Sequence, residues 1–314
     1  MRADESPRVV ALGGGHGLSA SLQALRQVTN DLTAVVTVAD NGGSSGRLRR
    51  ELGGLPPGDL RMALAALCGN DVIGRRWASI LQSRFHSPGP LNGHAIGNLL
   101  ITGVWQQFDA VTGLDLVAQL LHVQGRVLPM SQVPLTIEAD VVGVHPENPD
   151  ESVVVSGQHE VAVTRGQVLE IRLVPDEPPA CPEALDALAE ADFVVLGPGS
   201  WFTSVLPHLL VPQLAQAIAA SPGRRVLTLN IAPAGETEGL SAARHLEILA
   251  EHAPQLRLDV IVADAAFADG DPNLQTFAEC LGAELLLTDV RRHDGTARHD
   301  PLRLASVYRD LMVG

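Results

Sequence analysis

The sequence contains no lysine: all 22 basic residues of this 314-residue chain are arginines. A Walker-type lysine on nucleotide phosphates, a Schiff-base lysine and a lysine general base are therefore excluded. The arginines are also outnumbered by 36 acidic residues, which leaves a formal net charge of −14. Because a chain of this charge repels phosphate backbones and anionic lipid, we do not expect nucleic acid as a partner.

Cysteines, aromatic residues and long apolar runs are also scarce. The three cysteines, Cys68, Cys181 and Cys280, form no CxxC pair, so neither a zinc ribbon nor a disulfide framework is indicated. With 46% hydrophobic, 3% aromatic and 18% charged residues, the composition is typical of a globular protein with an aliphatic core. No apolar run approaches the roughly 18 to 20 residues of a membrane span, and residues 1–8 are polar. We expect a cytoplasmic protein without a membrane span.

Short apolar segments followed by glycine-rich loops determine the predicted fold. Residues 9–12, 32–38 and 192–196 are such segments, and helical leucine spacing follows the first loop. Repeated strand, loop and helix units indicate an α/β protein: a Rossmann-like, doubly wound and mostly parallel sheet.

The middle of the chain has a different hydrophobic pattern. From residue 127 onward, short alternating segments separated by Pro, Asn, Asp and Gly indicate an inserted antiparallel β subdomain. Its strands are predicted over residues 135–142, 152–155, 160–163 and 168–173. The resulting division is 1–126 for the first part of the α/β core, 127–175 for the insertion and 176–314 for the second part of the core. Predicted helices cover residues 59–68, with Asp59 as N-cap, then 75–84, 93–107, 113–123 and 212–220, and later strands cover 226–229, 258–262 and 285–287.

The first glycine loop is a candidate phosphate site. It consists of Gly13, Gly14, Gly15, His16 and Gly17. Between a strand and a helix, bare backbone N–H groups and the positive end of the helix dipole can face a phosphate. Leu18 stands where the dinucleotide fingerprint has its third glycine, but Asp40 could take a ribose hydroxyl, so NAD(P) is an open alternative. A plain tight turn with Asp40 as a local cap is the other.

The second loop offers hydroxyls as well as bare amides. It consists of Asp40, Asn41, Gly42, Gly43, Ser44, Ser45 and Gly46. Beside Arg47 and Arg49 it could form a second oxyanion cradle. It also satisfies G-x-S-x-G, which raises the alternative of a serine hydrolase at Ser44, although the apolar strand ends several residues earlier, at Ala39. A solvated loop without a ligand is the third interpretation.

A third loop and several polar residues are expected near the same edge of the sheet. The loop consists of Gly197, Pro198, Gly199 and Ser200. Since open α/β sheets bind ligands at the carboxyl ends of their strands, we expect the three loops, Asn230 and residues 235–237 to meet there.

Four further residues are candidates with structural alternatives. Asp59 and Arg61 could hold a metal-bound phosphate and a substrate anion, or serve as a helix cap and a surface arginine. His94 and Asn98 share a helix face at i, i+4, where a histidine is often structural. The tail segments 292–294 and 298–300 (both Arg-His-Asp) could equally be surface ion clusters.

Taken in order, these motifs resemble the bacterial gluconeogenesis-factor family, which is similar in fold to 2-phospho-L-lactate transferase, an enzyme of deazaflavin-cofactor biosynthesis. The segments that carry the resemblance are residues 13–19 (GGGHGLS), 37–49 (TVADNGGSSGRLR), 55–61 (LPPGDLR), 93–99 (GHAIGNL), 197–204 (GPGSWFTS) and 298–300 (RHD).

The resemblance implies a cytoplasmic, Rossmann-like protein that binds a nucleotide sugar such as UDP-N-acetylglucosamine. It also implies a need for the protein during gluconeogenic growth and a role in cell shape and wall synthesis, and it assigns no catalysed reaction. The three glycine loops would face the ligand, and Arg298 resembles the family's tail arginine that could pair with a diphosphate. His16 stands where the family commonly has Thr, Asn41 where Asp is usual, and Pro301 where a phosphorylatable Thr can occur.

Our leading hypothesis is a nucleotide-sugar-binding regulator of carbon flux into cell-wall precursors, with no established catalytic activity. The enzyme alternative is a Mg²⁺-dependent phospho-transferase in which Asp40 and Asp59 hold the ion, an arrangement that Asn41 weakens. An NAD(P)-binding protein and a serine hydrolase are the remaining alternatives. We expect a homo-oligomer, and the sequence does not identify a downstream protein partner.

Overall fold

The computed structural model describes residues 6–314. The strands are β1 (Arg8–Gly13), β2 (Asp31–Val36), β3 (Arg126–Pro129), β4 (Thr136–Val142), β5 (Val153–Ser156), β6 (Gln167–Val174), β7 (Phe193–Leu196), β8 (Arg224–Thr228), β9 (Val260–Asp264) and β10 (Glu284–Thr288). The α-helices are α1 (Gly15–Leu25), α2 (Gly43–Leu52), α3 (Gly58–Leu67), α4 (Val72–Gln82), α5 (Ile96–Val104), α6 (Ala110–Leu120), α7 (Gln158–Ala162), α8 (Pro182–Glu190), α9 (Pro212–Ala220), α10 (Ala242–His252), α11 (Ala265–Ala268), α12 (Leu274–Cys280) and α13 (Pro301–Met312). A π-helical turn spans Trp201–Val205, and 3₁₀ turns span Leu206–Leu209 and Gly235–Thr237.

Seven parallel strands form the main sheet in the order β10-β9-β8-β7-β1-β2-β3. Its centre is apolar, since Val9 to Leu12 of β1 are buried and pair with β2 on one side and β7 on the other. Helices cover a parallel sheet on both faces because its strands are apolar on both. The predicted doubly wound α/β fold is confirmed.

The chain reverses its direction of travel across the sheet between β1 and β7. From β1 it moves outward through β2 to β3, and after the insertion it returns at β7 and moves outward the other way to β10. Such a switch point leaves a crevice at the carboxyl ends of the two central strands, where ligands of open α/β sheets bind.

The insertion forms a separate antiparallel sheet with the order β5-β4-β6. Ile137, Ala139 and Val141 of β4 are buried, and the alternating residues are partly exposed. On the more exposed face Arg172 bridges Glu138 and Asp140, each at 3.0 Å. The period of two thus gives one face to the core and one to solvent.

Two boundaries of this region differ from the sequence predictions. The strand predicted over residues 160–163 is wrong: the segment belongs to helix α7, in which Val161 is the buried residue. Four residues of alternation are too few to separate a strand from one helical turn. The pattern also places residues 127–129 in the insertion, whereas the structure pairs β3 with β2 as the edge of the parallel sheet.

Helix α2 begins within the second loop, and helices α3, α4 and α6 begin earlier than predicted. Helix α2 starts at Gly43, so the glycine and serine residues of the second loop form its first turn, and Ser44 and Ser45 are buried. Residues 44–46 of the second loop are therefore not solvated, whereas residues 40–42 are half-buried and Gly43 is exposed. Helix α3 starts at Gly58 after Pro57, so Asp59 lies in the first turn and is not the N-cap. None of the helices within residues 6–314 is long and apolar enough to cross a membrane.

Candidate functional site

The three glycine loops follow β1, β2 and β7, which are neighbours in the sheet, and the first and third loops touch each other. A Cβ atom on Gly17 would lie 2.2 Å from the Pro198 carbonyl oxygen, so only glycine allows this approach between the first and third loops. The Thr37 hydroxyl donates to the carbonyl oxygens of Gly13 at 3.2 Å and Ser204 at 3.1 Å. The predicted meeting of the first and third loops at the carboxyl edge of the sheet is what the structure shows.

Two helix N-termini open onto this crevice. Helix α1 follows Gly14 and helix α2 follows Gly42, and neither N-cap supplies a side-chain hydrogen bond to its helix. Gly15 and Gly43 begin the helices with φ of +57° and +46°, a conformation that favours glycine. Gly15 N–H donates to Asp59, and the N–H groups that follow it in α1, like those that begin α2, face the crevice without a side-chain cap, where the helix dipoles favour an anion.

Two carboxyl groups stand beside the helix ends. Asp40 Oδ1 accepts a hydrogen bond from Gly42 N–H at 2.8 Å. Asp59 Oδ2 is shielded from solvent and has no hydrogen-bond partner in the described part of the chain, and a Cβ on Gly14 would lie 2.8 Å from it. Burial and the negative charge of Asp40 raise the pKa of Asp59 to about 7, against the opposing effect of Arg61. The pair offers oxygen acceptors to a hydroxyl or a cation.

Residues 6–314 hold no cluster of three or more histidine, cysteine or carboxylate side chains suited to a metal ion. A cation at Asp40 and Asp59 would therefore need water or a ligand's phosphate oxygens to complete its coordination.

Ser44 belongs to a buried hydrogen-bond network. Its Oγ accepts from Ala95 N–H at 3.3 Å and from Asn98 Nδ2 at 3.1 Å, and lies 3.0 Å from His94 Nδ1. Burial, followed by the charge of Arg47, lowers the pKa of His94, which favours a neutral ring that accepts the serine proton. Both lone pairs of Ser44 are then occupied, and the side chain lies inside a helical turn, so the geometry does not suit a nucleophile elbow.

The side chain of Arg61 is buried and hydrogen-bonded within the protein. It is 5% exposed, its Nε donates to Asn98 Oδ1 at 2.8 Å, and its Nη1 donates to the Leu81 carbonyl and the Gln82 side chain. These bonds join α3, α4 and α5 behind the second loop. The arginine thus supports the site from within, and its suggested contact with a substrate anion stays a prediction.

The third loop is held from two directions. Asn230 accepts from Gly199 N–H at 3.0 Å and donates to its carbonyl oxygen at 2.9 Å. Ser21 donates to the Gly197 carbonyl oxygen at 3.2 Å and lies 2.7 Å from the hydroxyl of Tyr308. Asn230 therefore positions the loop, and so does Tyr308 of α13, which the sequence did not reveal.

The C-terminal tail reaches the first loop. Partial burial, and then the positive charges of Arg298 and Arg61, lower the pKa of His16. The tail is fixed by the buried His299, whose Nε2 lies 3.1 Å from the Leu229 carbonyl oxygen. Asp300 caps α13 by accepting from Leu302 N–H at 2.9 Å. Arg298 itself is exposed.

Helix α7 of the insertion closes on the second loop. Asn41 accepts from His159 N–H at 3.0 Å and donates to Glu160 Oε2 at 2.7 Å, a bond that lowers the pKa of Glu160. The neighbouring Gln158 lies beside Asp59, and its Oε1 is shielded and without a partner among residues 6–314. Asn41 thus holds helix α7 of the insertion against the second loop. Gln158 lies at the candidate site and was not predicted from the sequence.

A family profile described as "2-phospho-L-lactate transferase CofD" matches residues 9–290. A Mycobacterium leprae protein provisionally named gluconeogenesis factor is 51% identical over 98% of this chain and 87% of its own length. The gluconeogenesis factor of Bacillus subtilis is 32% identical over 98% of this chain and 99% of its own. A crystal structure of a Bacillus halodurans protein of the UPF0052 family superposes with a TM-score of 0.85 at 31% identity, covering 96% of this chain and 98% of that one.

Proposed function

Because the chain belongs to the 2-phospho-L-lactate transferase CofD family, with relatives named gluconeogenesis factor, we propose that it is a cytoplasmic regulator that binds a nucleotide sugar of the UDP-N-acetylglucosamine kind. The bound ligand would report the supply of cell-wall precursors. The protein would be needed for gluconeogenic growth and for cell shape.

The observation that carries this proposal is the meeting of two uncapped helix N-termini at the switch point of the sheet. A diphosphate has two anionic groups, and α1 and α2 each present bare N–H groups to one crevice. Arg298 adds an exposed positive charge at its mouth, in a chain whose net charge is −14. The combination favours a diphosphate over a single carboxylate.

The sugar and ribose would meet the acceptors of the site. Asp40 is partly exposed beside Gly42, and Asp59 and Gln158 each carry an oxygen without a partner in the described chain. Hydroxyl groups are the donors that such oxygens need, and a nucleotide sugar carries several. An inorganic diphosphate would leave these acceptors unpaired.

Titration calorimetry with UDP-N-acetylglucosamine tests the proposal. We expect saturable binding that Gly14→Asp abolishes, because a carboxylate would be placed against both Asp59 and the phosphates. Arg298→Ala should weaken binding about tenfold, the effect of one charge-assisted contact.

Arg303→Ala is the matched control. Arg303 lies on α13 and is paired with Asp289, so the substitution removes the same charge from an arginine that already has a partner. It should leave the affinity unchanged. No saturable binding to the wild-type protein at millimolar ligand would contradict the proposal.

A Mg²⁺-dependent phospho-transferase is the second candidate, favoured by the unpartnered Oδ2 of Asp59 next to Asp40. These two carboxylates would hold the ion, which when bound would neutralise charge on the diphosphate of the donor nucleotide, from which a nucleoside monophosphate would leave as the phosphate-containing group passes to an acceptor hydroxyl. Turnover of a lactyl nucleotide that requires Mg²⁺ and is lost in Asp59→Asn would support this activity. No turnover by the wild-type protein would count against it.

A further inference from the structure

A cavity of about 670 Å³ lies between the insertion and the second half of the core. Residues 164–168 of the insertion form one wall, and residues 235–240 together with α10 form the other. None of the residues of the three glycine loops lines it. Its size is that of a small-molecule pocket.

Glu236 gives this cavity its chemistry. The carboxyl group is 7% exposed and accepts from Phe202 N–H at 3.1 Å and from the Thr203 hydroxyl at 3.5 Å. Both bonds are made to Oε1, and the Thr203 backbone N–H is a third donor to the carboxyl group. Burial raises the pKa of Glu236 to about 7, because these donors only partly replace water.

The cations nearby do not neutralise Glu236. Two arginines line the cavity: Arg244 is turned to Glu247 at 2.7 Å and Glu251 at 3.1 Å, and Arg165 is exposed on the wall formed by the insertion. A second acidic side chain, Glu238, is exposed on the rim. The inner wall therefore carries a carboxyl group whose charge is not balanced by a neighbouring arginine.

Four apolar side chains form one part of a lining that is otherwise mostly polar. Phe202, Val168 and Ile248 are buried residues that line the cavity, and Leu240 is half-buried beside them. A ligand that fits would place an apolar body on these side chains and a cationic head on the carboxylate, where a charge-assisted hydrogen bond is strong.

We propose that this cavity is a second small-molecule site, which takes an organic cation with an apolar body and an ammonium or amidinium head that pairs with Glu236. The site is separate from the glycine loops and does not depend on what they bind. It lies next to them, because Phe202 and Thr203 directly precede Ser204, whose side chain meets Gly14 and Gly199.

The test uses benzamidine as the probe, with benzoate as the charge-reversed compound of the same shape. Ligand-observed NMR on the full-length protein should show saturable binding of benzamidine at millimolar concentration and none of benzoate. Glu236→Gln, which keeps an acceptor for Phe202 N–H but removes the charge, should weaken benzamidine binding at least about tenfold.

Two further variants separate the site from a general charge effect. Glu238→Gln removes a charge from the exposed rim and should change the affinity less than about threefold. Leu240→Trp should block the cavity without touching the carboxylate, with folding verified by circular dichroism.

Three results would overturn the proposal: no saturable binding of benzamidine, unchanged binding in Glu236→Gln, or displacement of benzamidine by UDP. The last result would place the probe in the glycine loops.

Discussion

Replacing Gly17 by alanine tests the contact between the first and third loops. The new Cβ would lie 2.2 Å from the Pro198 carbonyl oxygen and 2.6 Å from Gly199 Cα, where 3.4 to 4 Å is an ordinary contact. Both neighbours are backbone atoms, so no side-chain rotation relieves the overlap, and the loops must move apart by about 1 Å.

The net effect follows from two opposing contributions. Alanine inside a helix is favoured over glycine by about 0.5 to 1 kcal/mol. Forcing an extra methyl into a packed site costs about 1 to 3 kcal/mol, and here rigid backbone places the cost at the upper end. We expect Gly17→Ala to lower the free energy of unfolding by about 2 kcal/mol and to weaken nucleotide-sugar binding at least about tenfold.

Gly103→Ala in α5 is the matched control, since Gly103 is exposed and no atom lies within 4 Å of its added Cβ. It should stabilise the protein by about 0.5 to 1 kcal/mol and leave binding unchanged. Urea unfolding gives the stabilities, and calorimetry gives the affinities. If Gly17→Ala behaved like Gly103→Ala in both assays, the close approach of the two loops would be refuted.

Three further changes have defined outcomes. Burial raises the pKa of folded Glu236 from 4.5 to about 7, so the free energy of unfolding should fall by up to about 3 kcal/mol as pH rises through that window. Glu236→Gln should reduce this fall, measured by urea unfolding at each pH. An equal fall in the variant and the wild type would contradict the burial of Glu236. Tyr308→Phe removes a hydroxyl 2.7 Å from Ser21 and 2.9 Å from Thr228. It should lower the free energy of unfolding in urea by about 1 to 3 kcal/mol. Unchanged stability would show that these two hydrogen bonds do not stabilise the fold. Ser44 should not react with a fluorophosphonate probe, because its lone pairs are occupied; labelling that Ser44→Ala abolishes would restore the hydrolase alternative.

The parallel sheet and its loops could be predicted because their signals are local. The central strands β1 and β7 are short apolar runs that end directly in glycine. The position of residues 13–17 and 197–200 at the ends of these strands can therefore be predicted without any long-range information. The parallel order of the strands then brings those loops together, since strands of one direction end at one edge.

The remaining parts of the site depend on contacts between distant segments. Asn41 and His159 are 118 positions apart in the chain, and their bond is what brings Gln158 to Asp59. Local periodicity carries no such information, and over residues 160–163 it predicts a strand where the structure has helix α7. The alternative of a surface arginine at Arg61 is wrong for the same reason, because its burial depends on contacts with α4 and α5.

A crystal structure of the protein with UDP-N-acetylglucosamine would test directly whether the glycine loops bind a nucleotide sugar. We expect the diphosphate to lie on the backbone N–H groups that begin α1 and α2, with Arg298 turned toward it. Sugar or ribose hydroxyls should lie on Asp40 and Asp59. A nucleotide bound away from both helix ends, or none bound at saturating concentration, would contradict this expectation.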